Sequence, residues 1–168
     1  VDRVRIRELL TELGRRLAAR GVAGELYVVG GAVIALAFDE RRSTADVDAV
    51  FEPKATTYAE ASAMAEELGL PEGWLNDAVK GFLAGGDDGA TVVLEAPGIR
   101  CAVASPRILL AMKVLAHRAA EDEADIRLLA GLLGLASSTA VLAVAESVYG
   151  DRLDVAARFF VESIFDAR

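Results

Sequence analysis

The chain has one cysteine, Cys101, and one histidine, His117, so a disulfide framework and a Cys/His zinc site are both excluded by count. Any metal must be held by carboxylates. That points to a hard cation such as magnesium or manganese, which takes oxygen ligands and bridges to substrate phosphates. Lysine is also scarce: Lys54, Lys80 and Lys113 are the only three among 18 basic residues. Although 54% of the residues are hydrophobic, charged residues interrupt every apolar stretch before the roughly 18 to 20 residues that a membrane span needs. No membrane partner is expected. The first 20 residues carry six arginines and lack a central apolar run, so they do not read as a signal peptide and a cytoplasmic location is expected. A net charge of -8, from 26 acids against 18 bases, argues against a DNA-binding surface spread over the chain. It leaves room for a local basic patch.

With 168 residues, the chain is long enough for one domain with a small appendage. Ile6, Leu9, Leu10, Leu13 and Leu17 recur at helical spacing and predict an amphipathic helix over 2–20, stopped by Gly21. Leu26 to Val29 reads as a short strand that breaks at Gly30-Gly31 and passes into an apolar helix, Ala32 to Phe38. After a charged turn, Asp46 to Phe51 reads as a second strand closed by Pro53. A helix over 57–69 is expected to turn Ala59, Ala63, Met64 and Leu68 inward. Thr91–Glu95 and Ile99–Val103 form a hairpin across Pro97-Gly98, which suits the centre of a type II turn. Ser105 and Pro106 suit the cap and first position of a helix over 106–119, and three further helices are expected near 122–133, 138–149 and 153–166. The expected class is α+β: a small mixed sheet flanked by helices over 1–104, then an all-helical C-terminal bundle over 105–168.

The residues that carry chemistry lie between Val28 and Val50. Asp46 and Asp48, two apart on a strand, point the same way and can hold one cation between them. Aspartate is depleted in strands and costly on a buried face, so a function explains the pair better than chance, unless an exposed edge makes it a matter of solubility. Gly30-Gly31 at a strand-to-helix junction is either a tight turn or a place where backbone N–H groups approach a phosphate. Arg42 is placed either to bind phosphate or to pair with Asp39 and Glu40. Lys113 interrupts an otherwise apolar helix. It either needs a phosphate or carboxylate partner or snorkels outward. Asp122 fits an acidic first helical turn, while His117, Cys101 and Trp74 read as capping or core residues. Asn76 and Asp77 sit in an irregular segment that could line a cleft.

Gly30-Gly31 followed by Arg42-x-Thr44-x-Asp46-Val47-Asp48 resembles the nucleotidyltransferase superfamily with the polymerase-beta-like fold. More narrowly, it is similar to the AbiEii-like and MenT-type toxins of toxin-antitoxin systems. The resemblance covers residues 25–52 well and extends to 105–130, where Lys113, Arg118 and Asp122-x-x-Asp125-Ile126 follow a similar order. It implies a sheet of nucleotidyltransferase type and transfer of NMP from an NTP to an acceptor hydroxyl, the 3′ end of tRNA in the toxin branch. It further implies magnesium or manganese on Asp46 and Asp48, phosphate contacts at Gly30, Gly31 and Arg42, charge neutralisation by Lys113, and Asp125 orienting the acceptor or Lys113. A cognate antitoxin is the implied partner, and in part of the family it phosphorylates a residue at the place of Ser43 or Thr44. A departure is the strand Ile99–Val103, which offers no third carboxylate. Two alternatives stand beside this expectation: an AMP-transferring antitoxin of the minimal nucleotidyltransferase kind that modifies a protein, and a non-catalytic nucleotide-binding module.

Overall fold

The computed structural model describes residues 1–77 and 85–166. The leucine ladder of the N-terminal segment forms helix α1 (Arg3–Ala19), with Ile6, Leu9, Leu10, Leu13 and Leu17 all buried. Each such side chain contributes ~1.5–3 kcal/mol on burial, which docks a helix otherwise covered in arginine. The carboxylate of Asp2 caps its start by accepting the Arg5 N–H at 2.9 Å.

Among the described residues five strands follow: β1 (Gly24–Val29), β2 (Val47–Glu52), β3 (Leu75–Asn76), β4 (Thr91–Ala96) and β5 (Ile99–Val103). They form a single mixed sheet in the order β3-β2-β1-β5-β4. β1 runs antiparallel to β2 and parallel to β5, so it is the central strand. Cross-strand partners share a face, and the sets Leu26–Phe51–Cys101 and Val28–Ala49–Val103 are all buried. Helix α1 packs against β4 and β5, and α3 (Lys54–Leu68) packs against β2 and α1. The opposite face carries the remaining alternation, with Asp48 beside Val29 and Val50 beside Tyr27. Burial pushes the Cys101 thiol up to about 12, with Glu25 adding to the effect, so Cys101 is a neutral core residue.

Several expected boundaries shift. Strand β2 begins at Val47, one residue after Asp46. Helix α3 starts at Lys54 and buries Thr57, Ala61, Met64 and Ala65, whereas Ala59 is exposed and Leu68 is 44% exposed. Only Met64 of the four expected inward residues is in the core. The helix after Gly30 is a short α-helical turn, α2 (Gly31–Val33), that widens into a π-helical turn over Ile34–Phe38. There Asp39 donates its N–H to Ile34 C=O at 2.7 Å, and the Arg3 Nε–H bonds the Ala35 carbonyl at 3.0 Å.

The described residues separate into two compact units, one of residues 1–77 and 89–104, the other of 85–88 and 105–166. The second is helical: α4 (Pro106–Ala116), α5 (Ala119–Leu132), α6 (Ser138–Tyr149) and α7 (Val155–Phe165). Ser105 Oγ accepts the Ile108 N–H and Pro106 occupies the first turn. Helix α4 packs on α5, α6 and α7 around Leu109, Leu110, Val114, Ile126, Leu129, Val141 and Val161. Among the described residues no helix is long and apolar enough to cross a membrane.

Candidate functional site

The antiparallel register of β1 and β2 places Val29 opposite Asp48, one residue before the Gly30-Gly31 break. Gly30 has φ 69 and ψ -154, a region open essentially to glycine. A Cβ there would lie 2.8 Å from Asp48 Oδ2, so the Asp48 carboxylate rests directly against the glycine backbone. At Gly31 a Cβ would come 3.1 Å from Thr44 Oγ1. The two glycines are thus the floor of a corner whose wall is the 44–48 segment. Asp46 and Asp48 are both half-buried, flanking the fully buried Val47, as strand alternation requires.

The segment leading into β2 is held from several sides. Thr44 donates its hydroxyl to the Asp46 carbonyl at 3.1 Å, and its N–H bonds the Val1 carbonyl at 2.9 Å. Ser43 is exposed and forms an isolated β-bridge with Asp2. Arg42 is half-buried, with its N–H on the Asp39 carbonyl at 3.1 Å. The guanidinium of its neighbour Arg41 pairs with Asp39, at 3.3 Å, and Glu40 pairs with Arg3 at 3.4 Å. The Asp39 carboxyl lies below its ordinary range, chiefly because the Arg41 N–H bonds it.

Strand β3 completes the corner on the far side of β2. Its two residues pair in parallel, Leu75 with Val47 and Asn76 with Asp48. The Asn76 Nδ2 donates to Asp46 Oδ2 at 3.4 Å. Trp74 is buried and gives its indole N–H to the Ala61 carbonyl at 2.9 Å. Asp77 is gripped by Lys54 Nζ at 2.6 Å and by the Tyr58 hydroxyl at 2.8 Å. The Lys54 contact, followed by that of Tyr58, holds the Asp77 carboxyl below its ordinary value.

In the helical unit, Lys113 is buried and its ammonium bonds both Asp122 Oδ1 and Asp125 Oδ2, each at 2.9 Å. Asp122 also accepts the Arg118 N–H at 3.2 Å, closing the start of α5, and pairs with the Arg118 guanidinium at 3.2 Å. Asp122 therefore does more than satisfy a helix start: it neutralises Lys113 together with Asp125. His117 ends α4 with φ 38, its N–H on the Lys113 carbonyl at 2.9 Å.

The chemistry open to the sheet corner follows from its donors. Two carboxylates on one edge suit a hard divalent cation that completes its shell with water and phosphate oxygens. No group of three or more His, Cys, Asp or Glu side chains that could hold a metal occurs among the described residues. The strand beside β1 that could have supplied a third acid, β5, places Ala102 opposite Tyr27 and Val103 opposite Val28. Comparison with protein-family models, curated proteins and solved structures found no match.

The corner's geometry makes one substitution diagnostic. Gly30→Ala must both adopt a left-handed backbone and displace Asp48. It is expected to cost about 1–3 kcal/mol of unfolding free energy from the backbone alone. Gly21→Ala also has positive φ but has nothing within 4 Å of its Cβ position. Urea unfolding of both variants should show the larger loss at Gly30. Equal losses would mean that the contact with Asp48 has no weight.

Proposed function

We propose that the corner of Gly30, Gly31, Asp46 and Asp48 is a nucleotidyl-transfer centre. The observation that carries the reading is the Val29–Asp48 pairing, which brings a glycine backbone and a carboxylate into contact beside a second carboxylate. Under this proposal Asp46 and Asp48 hold magnesium or manganese, which supplies Lewis-acid neutralisation of the triphosphate. Gly30 and Gly31 carry no side chains of their own, and their backbone N–H groups are assigned to the phosphate oxygens. Arg42 adds positive charge beside the pair. An acceptor hydroxyl oxygen bonds the α-phosphorus, the bond from that phosphorus to the bridging oxygen breaks, and pyrophosphate leaves with the electron pair. The acceptor's proton passes to solvent or to a nearby carboxylate. Such a transfer depends on positioning and charge neutralisation more than on covalent participation by the protein.

The acceptor in this proposal is the 3′ end of tRNA, and the effect is a block on translation that a cognate antitoxin restrains. This part rests on the motif resemblance. So do the roles of Lys113 in neutralising the triphosphate and of Asp125 in orienting Lys113 or the acceptor; in the helical unit the Lys113 ammonium bonds Asp122 and Asp125, each at 2.9 Å. Ser43, exposed beside the aspartates, is the more accessible of the two hydroxyls for a regulatory phosphate. That phosphate would add about -1.5 to -2 charges next to the proposed cation.

The test is incubation of the full chain with each α-labelled NTP, magnesium, total tRNA and cell lysate. Label is expected at RNA 3′ ends, read by gel and by end sequencing. Label on a protein would move the proposal to AMP transfer between proteins, and label on neither, with folded protein, would reject it.

A further inference from the structure

Asn76 is the only asparagine in the 168 residues, and the chain has no glutamine, so one carboxamide side chain exists in the whole sequence. It lies at the aspartate corner. Its strand position pairs with Asp48, and its Nδ2 donates to Asp46 Oδ2 at 3.4 Å and to the Gly73 carbonyl at 3.4 Å. Asn76 therefore meets Asp46 through its side-chain amide and pairs with Asp48 through the backbone register.

The chain on either side is built to hold that amide still. Ahead of it, Trp74 is plugged into the core with its indole on Ala61, and the Trp74 carbonyl accepts the Val47 N–H at 2.7 Å. Behind it, Asp77 is tied to both Lys54 and Tyr58 of α3. A two-residue strand has too few ladder bonds to fix itself, and these side-chain ties supply the rest.

We propose that Asn76 is a positioning residue for the cation site. By holding Asp46 Oδ2, the amide fixes the carboxylate's rotation and leaves Oδ1 as the oxygen for the cation. Second-sphere hydrogen bonds of this kind orient metal-binding carboxylates, and removing one typically weakens metal affinity by about 10–100-fold. The inference rests on the nucleotidyl-transfer reading, since it presupposes a cation on Asp46 and Asp48.

The single carboxamide makes the test unusually direct. In the uniformly 15N-labelled full chain, one side-chain NH2 pair appears in the amide correlation spectrum, and it is that of Asn76. Titration with MgCl2, alone and with a non-hydrolysable NTP, is expected to move this pair along the same binding curve as the backbone amides of Asp46 and Asp48. In Asp46→Ala the pair should stop responding. Asn76→Ala is expected to weaken magnesium binding at least tenfold, and Asn76→Gln, which retains the amide, to recover part of that loss.

A stationary NH2 pair while the aspartate backbone amides shift would overturn the role of Asn76 and leave the cation reading intact. So would wild-type magnesium affinity in Asn76→Ala. If no resonance of the corner moves in the wild type, the cation reading falls and this inference falls with it. The wild-type titration decides the matter even if Asn76→Ala does not fold.

Discussion

Under the nucleotidyl-transfer proposal, alanine at Asp46 or at Asp48 is expected to lower label transfer about a thousandfold, while changing unfolding free energy by no more than about 1 kcal/mol. The activity figure follows from the several kcal/mol that cation-mediated charge stabilisation supplies to such a transition state, at about 1.4 kcal/mol for each factor of ten. The stability figure follows from position. Both side chains are half-buried at one end of β2, and neither fills the core as Val47 or Phe51 does. The measurement is label transfer alongside urea unfolding on the same preparations. A stable Asp48→Ala variant that transfers label at the wild-type rate would remove the corner from the mechanism. A large loss of stability in both variants would recast the pair as structural.

The elements that announced themselves in the sequence did so through local chemistry that tertiary contacts do not override. Ser105 and Pro106 cap and open α4 as their residue types require, and Pro97-Gly98 turns β4 into β5. The leucine ladder of α1 has strong contrast between apolar and charged positions, and all of its expected core residues are buried. Helix α3 is the opposite case. Its run of Ala, Thr and Ser has little contrast around the helix, so pattern alone gave the wrong inward face, and packing on β2 and α1 chose Thr57, Ala61 and Ala65 instead. The end of α4 was placed three residues too late. His117 ends the helix in the left-handed conformation, where histidine is enriched among non-glycine residues; this is the capping role its type suggests, three residues before the expected end. The start of α5 moved for a related reason, because its closing carboxylate, Asp122, lies inside the helix and not ahead of it.

The site was legible in the same uneven way. Gly30, Gly31, Asp46 and Asp48 could be read because glycine and aspartate are depleted in strands and stand out beside or within one. Their contact depends on the β1–β2 register, which the sequence supports only through alternation. Asn76 was visible as one polar residue in an irregular stretch, but β3 is two residues long and leaves no periodicity to detect. The signal that could have raised it is compositional: a single carboxamide, followed by an aspartate that is tied down in the fold. For Lys113 the sequence showed that a charged group in an apolar helix needs a partner. The fold answers with two carboxylates, one of which, Asp122, had a sufficient explanation as a helix-start acid.

That buried cluster carries the second large prediction. Lys113→Met should cost about 3–5 kcal/mol, because Asp122 and Asp125 are 0% and 2% exposed and both lose the ammonium that each bonds at 2.9 Å. Arg118 also pairs with Asp122, but its guanidinium is 58% exposed, and a solvent-screened pair compensates less than the buried ammonium. Against a typical total stability of about 5–15 kcal/mol, the loss should lower the melting temperature by about 10 °C or more. Adding Asp122→Asn and Asp125→Asn removes the stranded charges while keeping an acceptor for the Arg118 N–H, and should restore most of the lost stability. The triple variant separates two causes that the single one confounds, lost charge compensation and lost packing of the lysine stem. It should melt near the wild type, read by thermal unfolding of both variants side by side. If it melts as low as Lys113→Met, the loss comes from the packing of the stem and not from the uncompensated carboxylates.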